Sequence, residues 1–259
     1  MKLLREDGPP IRVGHRGAAA IAPENTLRGF EAALAIGVDA IEFDVLDLPG
    51  GPLVLAHSND LHEVSHGAAN GLVRDHGLQA LRELAPELPT LDEALDFLAA
   101  ADVALHVDLK LESRFDELVE ALVRRGLAER SVVSSANVAS LREVARRDPL
   151  ISIGRTYPED RYGVSGRRVL RPVIRAGTAS LRRALAYRIP GMVARAGAGA
   201  LMLHHAVVSR AAVERAHSAG AAVWAWTVDD PLELERMLAA GVDAVITNDP
   251  TILPATLRT

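Results

Sequence analysis

The fold class is indicated most clearly by residues 26–45, which read Thr-Leu-Arg-Gly-Phe-Glu-Ala-Ala-Leu-Ala-Ile-Gly-Val-Asp-Ala-Ile-Glu-Phe-Asp-Val. Its first half, Thr26–Ile36, is helix-like and stops at Gly37, a residue type that tolerates the left-handed conformation in which helices end. Its second half, Asp39–Val45, is a largely apolar, strand-like run that carries Glu42 and Asp44 after its first residue. The chain therefore passes from helix to strand within a few residues, as it does in a βαβ unit.

The same alternation continues along the whole chain. Seven more strand-like runs occur, at Ile11–His15, Val103–Leu109, Ser131–Ser134, Leu150–Arg155, Ala200–Leu203, Ala222–Thr227 and Asp243–Thr247. Six more helix-like stretches lie between them, at Leu91–Ala100, Phe115–Arg125, Val138–Arg147, Ala179–Ala196, Arg210–Ala219 and Leu232–Ala240. Eight such units in 259 residues favour an α/β fold, a single (β/α)8 TIM barrel, over an open doubly wound sheet.

Two connections are longer than a barrel needs. Residues 46–89 contain an extra strand-like run, Leu53–Ala56, and then polar, glycine-rich sequence, so we expect a loop or cap segment inserted between the second and third barrel strands. Tyr157–Thr178 opens a segment, residues 161–213, that holds ten arginines and no Asp or Glu. That segment is either an ordinary solvent-exposed face or a positive rim beside the barrel mouth. Because no linker or internal repeat is found, residues 1–259 are expected to form one domain.

Composition restricts the classes of function. With 49% apolar and 24% charged residues the chain is typical of a globular protein, and the lack of cysteine excludes disulfides, thiolate metal sites and cysteine catalysis. A net charge of −5 gives no reason to expect nucleic-acid binding. There is no apolar run of about 18 residues and no apolar signal segment near Met1, so we expect a cytoplasmic protein without integral membrane association. The oligomeric state is not indicated.

Polar side chains mark the ends of four neighbouring strand-like runs, where catalytic groups of β/α barrels lie. They are His15, Arg16, Glu42, Asp44, His57, Asp108 and Lys110. Glu42 and Asp44 are spaced i and i+2 on one strand, as are Asp108 and Lys110 on another, so each pair points to one face of its strand. We therefore expect these groups to converge on the mouth of the barrel.

The chemistry of this set favours phosphate-ester hydrolysis at a metal ion. Paired carboxylates repel unless a cation lies between them, and oxygen ligands without cysteine favour Mg²⁺ or Ca²⁺. Two histidines can share acid and base work near neutral pH, and Arg16 can hold two phosphoryl oxygens. Each residue alone also has a structural interpretation: a packing histidine, a solvated carboxylate pair, or Lys110 as the partner of Asp108. Their convergence favours the functional one.

Two further strand ends allow more than one interpretation. His204 and His205 close the sixth strand and are interpreted as mouth-lining or structural residues. Trp226, on the seventh strand, is either part of the core or a flat wall of the substrate pocket.

These residues lie in motifs that resemble those of the glycerophosphodiester phosphodiesterase family. The motifs are His15-Arg16-Gly17, Pro23-Glu24-Asn25-Thr26, residues 37–45, His57, Leu88-Pro89-Thr90-Leu91-Asp92-Glu93, residues 105–110, Trp226-Thr227-Val228 and residues 241–250. The resemblance spans almost the whole chain and implies a β/α barrel. It also implies His15 and His57 as the acid–base pair, Arg16 on phosphate, and Glu42 and Asp44 as metal ligands.

The chain departs from the family pattern at four places. Asp108 stands where Glu is usual as the third metal ligand, a replacement that the related sphingomyelin-cleaving phospholipases D share. Ser58 follows the second histidine in place of Asp, and Glu63-Val64-Ser65 replaces the usual Arg-Thr-Thr. Ser134-Ser135 stands where a Ser-Phe pair is usual. These departures leave the catalytic set intact and put the identity of the substrate in doubt.

These residues and motifs together predict a metal-dependent phosphodiesterase. One divalent ion, Mg²⁺ or Ca²⁺, would be held by Glu42, Asp44 and Asp108, with Lys110 near the phosphate, and the products would be glycerol 3-phosphate and an alcohol. An alternative is a phosphodiesterase or phospholipase D-like enzyme acting on lysophospholipids or another phosphodiester. A catalytically inactive barrel that only binds is a third possibility, against which the intact catalytic set argues.

Overall fold

Eight parallel strands close into a barrel in the computed structural model, which describes residues 3–5, 8–158 and 171–253, with the backbone alone at 171–179. The barrel strands are β1 (Ile11–Gly14), β2 (Ala40–Asp47), β4 (Ala104–Leu109), β5 (Ser131–Ser135), β6 (Ser152–Tyr157), β7 (Ala200–His204), β8 (Ala222–Trp226) and β9 (Ala244–Thr247). They pair in chain order, and β1 closes the ring by pairing with both β2 and β9. A further strand, β3 (Leu53–Leu55), pairs antiparallel with the end of β2. The (β/α)8 barrel predicted from the sequence is confirmed.

Helices connect the strands and cover the barrel. They are α1 (Leu27–Ile36), α2 (Leu61–Val64), α3 (Leu78–Leu84), α4 (Leu91–Ala99), α5 (Phe115–Arg124), α6 (Val138–Arg147), α7 (Arg171–Ala196), α8 (Arg210–Ser218) and α9 (Pro231–Ala240). Helix α1 ends as its sequence predicts, with Gly37 in the left-handed region (φ 89°) and its N–H bonded to the carbonyls of Ala33 and Leu34. No helix among the described residues combines the length and apolar character needed to cross a membrane.

The strand pattern separates two faces of the barrel wall. Ile41, Phe43 and Val45 of β2 are fully buried in the apolar layer between the wall and the helices. Glu42 and Asp44 point the other way, into the mouth, as the i, i+2 spacing predicts. The register places Asp44 beside Asp108 of β4 and Glu42 beside His106, so the carboxylates of two adjacent strands become neighbours. Deeper in the barrel, Trp224 fills the interior among small alanines.

The insertion at residues 46–89 is more ordered than its polar sequence indicates. Beyond β3 it forms α2 and α3, which were not predicted, around an apolar cluster of its own. That cluster includes Leu61, Val73 and Leu81, each at most 1% exposed. The short apolar runs that build it are scattered between glycines and charges, so they carry no helix-length periodicity.

The second long connection differs from its prediction. Helix α7 begins at Arg171, eight residues before the predicted start at Ala179, so part of Tyr157–Thr178 is helical. The stretch contains Pro172 and Gly177, residue types that are unfavourable inside a helix, so its sequence is typical of a loop. Pro172 is accommodated because it lies in the first turn of the helix, where proline is tolerated. Residues 159–170, which include Arg167 and Arg168 of the arginine-rich segment, lie outside the described residues, so the two interpretations of that segment stay predictions there. Further along α7, Arg182 and Arg183 are exposed, as a solvent face requires.

Candidate active site

The His-Arg-Gly turn after β1 aims two groups at the mouth. Arg16 and Gly17 both have positive φ, at 51° and 92°. A Cβ on Gly17 would lie 2.6 Å from the carbonyl carbon of Gly29 in α1, so this position requires glycine. The turn directs the backbone N–H of Arg16 to Glu42 Oε2 at 2.8 Å and its Nε to within 3.2 Å of Asp44 Oδ2. The tight turn thus joins the end of β1 to both carboxylates of β2.

Asp44 is the most heavily supported carboxylate of the site. Lys110 Nζ lies 3.1 Å from its Oδ1, and Asn25 Nδ2 donates to its Oδ2 at 2.9 Å. The backbone N–H of Asp44 donates to Asn25 Oδ1 at 3.0 Å, so one asparagine binds both parts of this residue. Burial by itself raises the pKa of Asp44, but the charges of Lys110 and Arg16 outweigh it and lower the pKa. Asp44 is therefore ionised.

Glu42 has the opposite environment. It is 4% exposed, and its Oε2 accepts the backbone N–H of Arg16. Burial, and then the negative charge of Asp44, raise the pKa of Glu42 well above its ordinary value, in spite of the Arg16 charge. An added cation beside Glu42 would favour its ionised form.

Lys110 bridges the carboxylates of β2 and β4. Its Nζ lies 2.5 Å from Asp108 Oδ2 as well as 3.1 Å from Asp44 Oδ1. Burial opposes its charge, but Asp108 and Asp44 raise the pKa of Lys110. Within the described ranges, no three Asp, Glu or His side chains are spaced as ligands of one ion. The carboxylate oxygens of Glu42, Asp44 and Asp108 are the type of ligand that a hard divalent cation prefers, and Glu42 lacks a strong cationic partner. Lys110 stands between the other two predicted ligands, Asp44 and Asp108.

His15 is held from the neighbouring strand end, because Asn248 follows β9 and β9 pairs with β1. Its Nδ1 lies 2.6 Å from Asn248 Oδ1, and Asn248 Nδ2 donates to Asp229 Oδ2 at 2.7 Å, which orients the amide with its oxygen toward His15. His15 Nδ1 must then carry the hydrogen, and Nε2, 3.8 Å from Glu42 Oε2, keeps a lone pair. Burial, and then the charge of Arg16, lower the pKa of His15 to about 4, so this imidazole is neutral at pH 7.

His57 comes from the insertion, just after β3. Its side chain is 38% exposed, and its Nδ1 lies 2.7 Å from Oε1 of Glu63 on α2. The hydrogen bond from His57 lowers the pKa of Glu63 to about 2, so Glu63 accepts this bond as a carboxylate. His57 Nδ1 therefore carries a hydrogen too.

A third histidine, which the sequence did not single out, supports Asp108. Ser134 Oγ donates to Asp108 Oδ1, and His106 Nε2 lies 2.8 Å from the same hydroxyl. Because the hydroxyl hydrogen goes to Asp108, His106 Nε2 is the donor and its buried Nδ1 has no hydrogen-bond partner. Burial lowers the pKa of His106 to about 4, which keeps it neutral. The chain His106–Ser134–Asp108 fixes the carboxylate of β4.

All eight residues predicted for the site line one cavity of about 640 Å³ at the mouth of the barrel. They are His15, Arg16, Glu42, Asp44, His57, Asp108, Lys110 and Trp226. Trp226 forms the wall opposite the carboxylates, together with Met202 and Thr156. His204 packs edge-to-face on Trp226 at 5.1 Å, and His205 Nδ1 lies 3.2 Å from Glu233 Oε2. These contacts agree with the structural interpretation of the histidine pair.

Comparison with known proteins identifies the family. The model of the glycerophosphoryl diester phosphodiesterase family matches residues 15–252. The chain belongs to this family. The family includes a glycerophosphodiester phosphodiesterase from Caldanaerobacter subterraneus subsp. tengcongensis, which is 28% identical over 260 residues, covering 93% of this chain and 95% of the relative. The resemblance that the motifs indicated is confirmed, and with it an enzyme of the phosphoric diester hydrolase class.

Solved structures agree on the fold. The glycerophosphodiester phosphodiesterase of Thermotoga maritima is similar with a TM-score of 0.73 at 24% identity, covering 95% of this chain and 97% of that one. A phosphodiesterase from Oleispira antarctica, solved in complex with the product sn-glycerol-3-phosphate, has a TM-score of 0.70 at 22% identity, with 93% and 94% covered. Both likenesses extend over the whole barrel.

Several residues that complete the site in this family member escaped the sequence reasoning. Asn25 and Asn248 lie inside motifs that the resemblance quoted, Pro-Glu-Asn-Thr and Thr-Asn-Asp-Pro, which was the available signal. His106 alternates with Asp108 and Lys110 on β4, so the i, i+2 rule applied one step earlier would have included it. Glu63 carried no such signal, because its approach to His57 depends on the fold of α2.

Proposed function

We propose that the chain hydrolyses glycerophosphodiesters to glycerol 3-phosphate and an alcohol, with His15 and His57 as base and acid and with one divalent cation held by Glu42, Asp44 and Asp108. The observation that carries this proposal is the hydrogen-bonding arrangement that the two histidines share. Each has its Nδ1 bonded away from the reaction, to Asn248 and to Glu63, while both rings line the same cavity.

Phosphate binding is assigned to the two permanent cations of the mouth. Arg16 is bonded through Nη1 to Glu24 at 2.9 Å and lies beside Asp44, which holds the guanidinium plane in place. Lys110 lies on the opposite side of Asp44. A phosphodiester oxygen between these two groups would be bound by both charges.

His15 is assigned as the general base. It is neutral at pH 7 because burial lowers its pKa to about 4, and its free Nε2 faces the site. The nucleophilic oxygen, from water or from a hydroxyl of the substrate, forms a bond to phosphorus as its proton moves to Nε2. In the second case a cyclic phosphate forms first. Water then opens it with the two roles reversed: the neutral His57 takes a proton from water, and the protonated His15 gives its proton to the ring oxygen that leaves.

His57 is assigned as the general acid. Glu63 stays a carboxylate and stabilises the imidazolium form of His57, which then has a proton on Nε2 to give. As the phosphorus–oxygen bond to the alcohol breaks, the leaving oxygen takes that proton. The two histidines end the step with their protonation states exchanged, and solvent restores them.

The metal part of the proposal rests on donor chemistry. Arg16 lies within 4 Å of carboxylate oxygens of Asp44, Glu24 and Glu63, and Lys110 within 4 Å of those of Asp44 and Asp108. Glu42 also lines the cavity, beside Asp44. A divalent cation bound by Glu42, Asp44 and Asp108 would supply Lewis-acid stabilisation of negative charge on the phosphate. Lys110 would then leave at least one of its two carboxylates and become free to bind a phosphate oxygen.

Release of glycerol 3-phosphate from glycerophosphocholine is the direct test. We expect release in Mg²⁺ or Ca²⁺ and its loss in EDTA, and slower cleavage of a long-chain lysophospholipid of the same head group. Release that EDTA leaves unchanged would overturn the metal assignment. Cleavage of the lysolipid alone would replace the proposed substrate with the lysophospholipid alternative.

A further inference from the structure

A carboxylate of the insertion contacts the histidine assigned as the acid. Glu63 Oε1 lies 2.7 Å from His57 Nδ1, and the Oγ of Ser58 donates to Glu63 Oε2 at 2.5 Å. Both oxygens of this carboxylate therefore have a hydrogen-bond donor from the segment that carries His57. The side chain of Glu63 is 31% exposed, so the pair is only partly screened by solvent.

The position of Glu63 is determined by its short helix. Asp60 caps α2 by accepting the N–H of His62 at 2.9 Å, and Leu61 is buried in the apolar cluster of the insertion. The N–H of Asp60 in turn donates to Ser58 Oγ at 3.1 Å. The turn from His57 to α2 is thus closed by its own side chains, and this closure brings Glu63 back to the imidazole six residues earlier.

We propose that Glu63 is the positioning residue of the acid: it holds the hydrogen on His57 Nδ1, directs Nε2 into the cavity, and stabilises the imidazolium until its Nε2 proton is transferred. This inference rests on the proposed function. Glu63 remains a carboxylate throughout the step, and the only proton that moves from the His57–Glu63 pair is the one on Nε2. Ser58 fixes the second carboxylate oxygen and so restricts rotation of Glu63.

A competing role for Glu63 is support of Arg16. Arg16 Nη1 lies 3.6 Å from Glu63 Oε1, but it lies 2.9 Å from both oxygens of Glu24. Glu24 therefore already serves Arg16, and it provides a matched variant that contacts the same guanidinium. Among the described residues, Arg16 acts electrostatically on Glu63, and Asp44 and His15 interact electrostatically with His57.

The experiment compares Glu63→Gln with Glu24→Gln and with Glu87→Gln, an exposed carboxylate paired with Arg28. We expect Glu63→Gln to lower kcat about 10- to 100-fold with little change in KM, the size typical of a lost orienting partner. Because a carboxylate beside an imidazole favours its charged form, removal of the Glu63 charge should also move the alkaline limb of the kcat/KM profile to lower pH. Glu24→Gln should act mainly on KM and leave that limb in place, and Glu87→Gln should behave as wild type.

Two further variants test whether Glu63 acts through His57. In His57→Ala the further change Glu63→Gln should cost less than about threefold, because a positioning residue has nothing left to position. Ser58→Ala reports on the same contact if Glu63→Gln does not fold, and it should move the alkaline limb in the same direction. A Glu63→Gln enzyme with unchanged kcat and an unmoved limb overturns the inference, as does full additivity with His57→Ala. A wild type that releases no glycerol 3-phosphate would instead overturn the proposed function.

Discussion

The two histidines of the mouth stand in different parts of the molecule. His15, with 15% of its side chain exposed, follows β1 and is held by Asn248 after β9, which Asp229 after β8 orients in turn. His57, with 38% exposed, belongs to the insertion and is held by Glu63 on α2. The proposed base is thus built into adjoining strand ends of the barrel, whereas the proposed acid stands on an added segment with its own small core.

The residues that match the family pattern and those that depart from it lie in these two different regions. The residues around His15 follow the expected pattern, because three strand ends must agree for this imidazole to be placed. Around His57 the chain departs from the pattern at Ser58 and Glu63, yet these two residues supply a complete partner for the imidazole. A segment packed on its own core can exchange one orienting group for another without disturbing the barrel.

Removal of either histidine should give the largest loss of activity. We expect His15→Ala and His57→Ala each to lower kcat about 10²- to 10⁴-fold, the usual contribution of an acid or base. His62→Ala, an exposed histidine on α2, is the control and should keep full activity. If His57→Ala were as active as His62→Ala, the insertion would contribute no acid and the comparison between the two regions would fail.

Substitution of the two buried carboxylates of β2, Asp44 and Glu42, should change the stability of the barrel in opposite directions. Asp44→Ala leaves Arg16 and Lys110 without their shared partner, and breaking such a buried pair should cost about 3–5 kcal/mol in the free energy of unfolding. Glu42→Gln should stabilise the metal-free protein, because burial and repulsion from Asp44 raise the pKa of Glu42 above its ordinary value of 4.5.

The sign of the pH dependence follows from that raised pKa. The folded protein binds the Glu42 proton more tightly than the unfolded chain, so this group destabilises increasingly as pH rises above about 4.5. The advantage of Glu42→Gln over wild type in EDTA should therefore grow from acid to neutral pH in urea titrations. A variant less stable than wild type at pH 7 would contradict the environment described for Glu42.

Metal binding should stabilise the barrel and leave both histidines uninvolved. Mg²⁺ or Ca²⁺ at about 100 times its Kd should add about 2.7 kcal/mol to the free energy of unfolding and raise Tm, since the ion binds only the folded state. The increase should persist in His15→Ala and His57→Ala and disappear in Asp108→Asn. A Tm that ignores both ions and EDTA would remove the cation from the proposal.

The smallest expected effect concerns the approach of substrate to both histidines. If the basic segment forms a positive rim, Arg182→Gln with Arg183→Gln should lower kcat/KM modestly and flatten its dependence on salt, with kcat unchanged. An unchanged salt dependence would leave these exposed arginines as an ordinary solvent face. Measurement of kcat/KM between low and physiological ionic strength decides between the two.

The sequence predicted most of the barrel because periodicity and strand-end polarity are local signals. The helix stop at Gly37 and the i, i+2 pairs on β2 and β4 lie where they were expected, and the extra strand predicted at Leu53–Ala56 is observed at Leu53–Leu55. The helices of the insertion did not follow from the sequence, since α2 has four residues and α3 has seven. Helices of that length are stabilised by tertiary packing around residues such as Leu61 and Leu81, not by a periodic pattern.

The convergence of the candidate residues followed from the sequence, but the hydrogen positions on the histidines did not. Strand-end position, i, i+2 spacing and the family motifs selected eight residues that line one cavity. Which nitrogen of each histidine faces that cavity depends on Asn248 and Glu63. The first partner is more than two hundred residues away in the chain, and the second depends on a turn that no sequence rule encodes. A proposal for which histidine is the acid and which the base could therefore be made only from the folded molecule.

The division of labour between the two histidines is tested most directly by changing the leaving group. Glycerophosphocholine has an alcohol that must be protonated as it leaves, whereas the p-nitrophenyl ester of glycerol 3-phosphate releases a stable anion that needs no proton. We predict that the His57→Ala loss of about 10²- to 10⁴-fold on the choline ester falls to less than about tenfold on the p-nitrophenyl ester, while the His15→Ala loss stays the same on both. Equal losses for His57→Ala on the two substrates, or relief of the His15→Ala defect by the better leaving group, would contradict the assignment of acid and base.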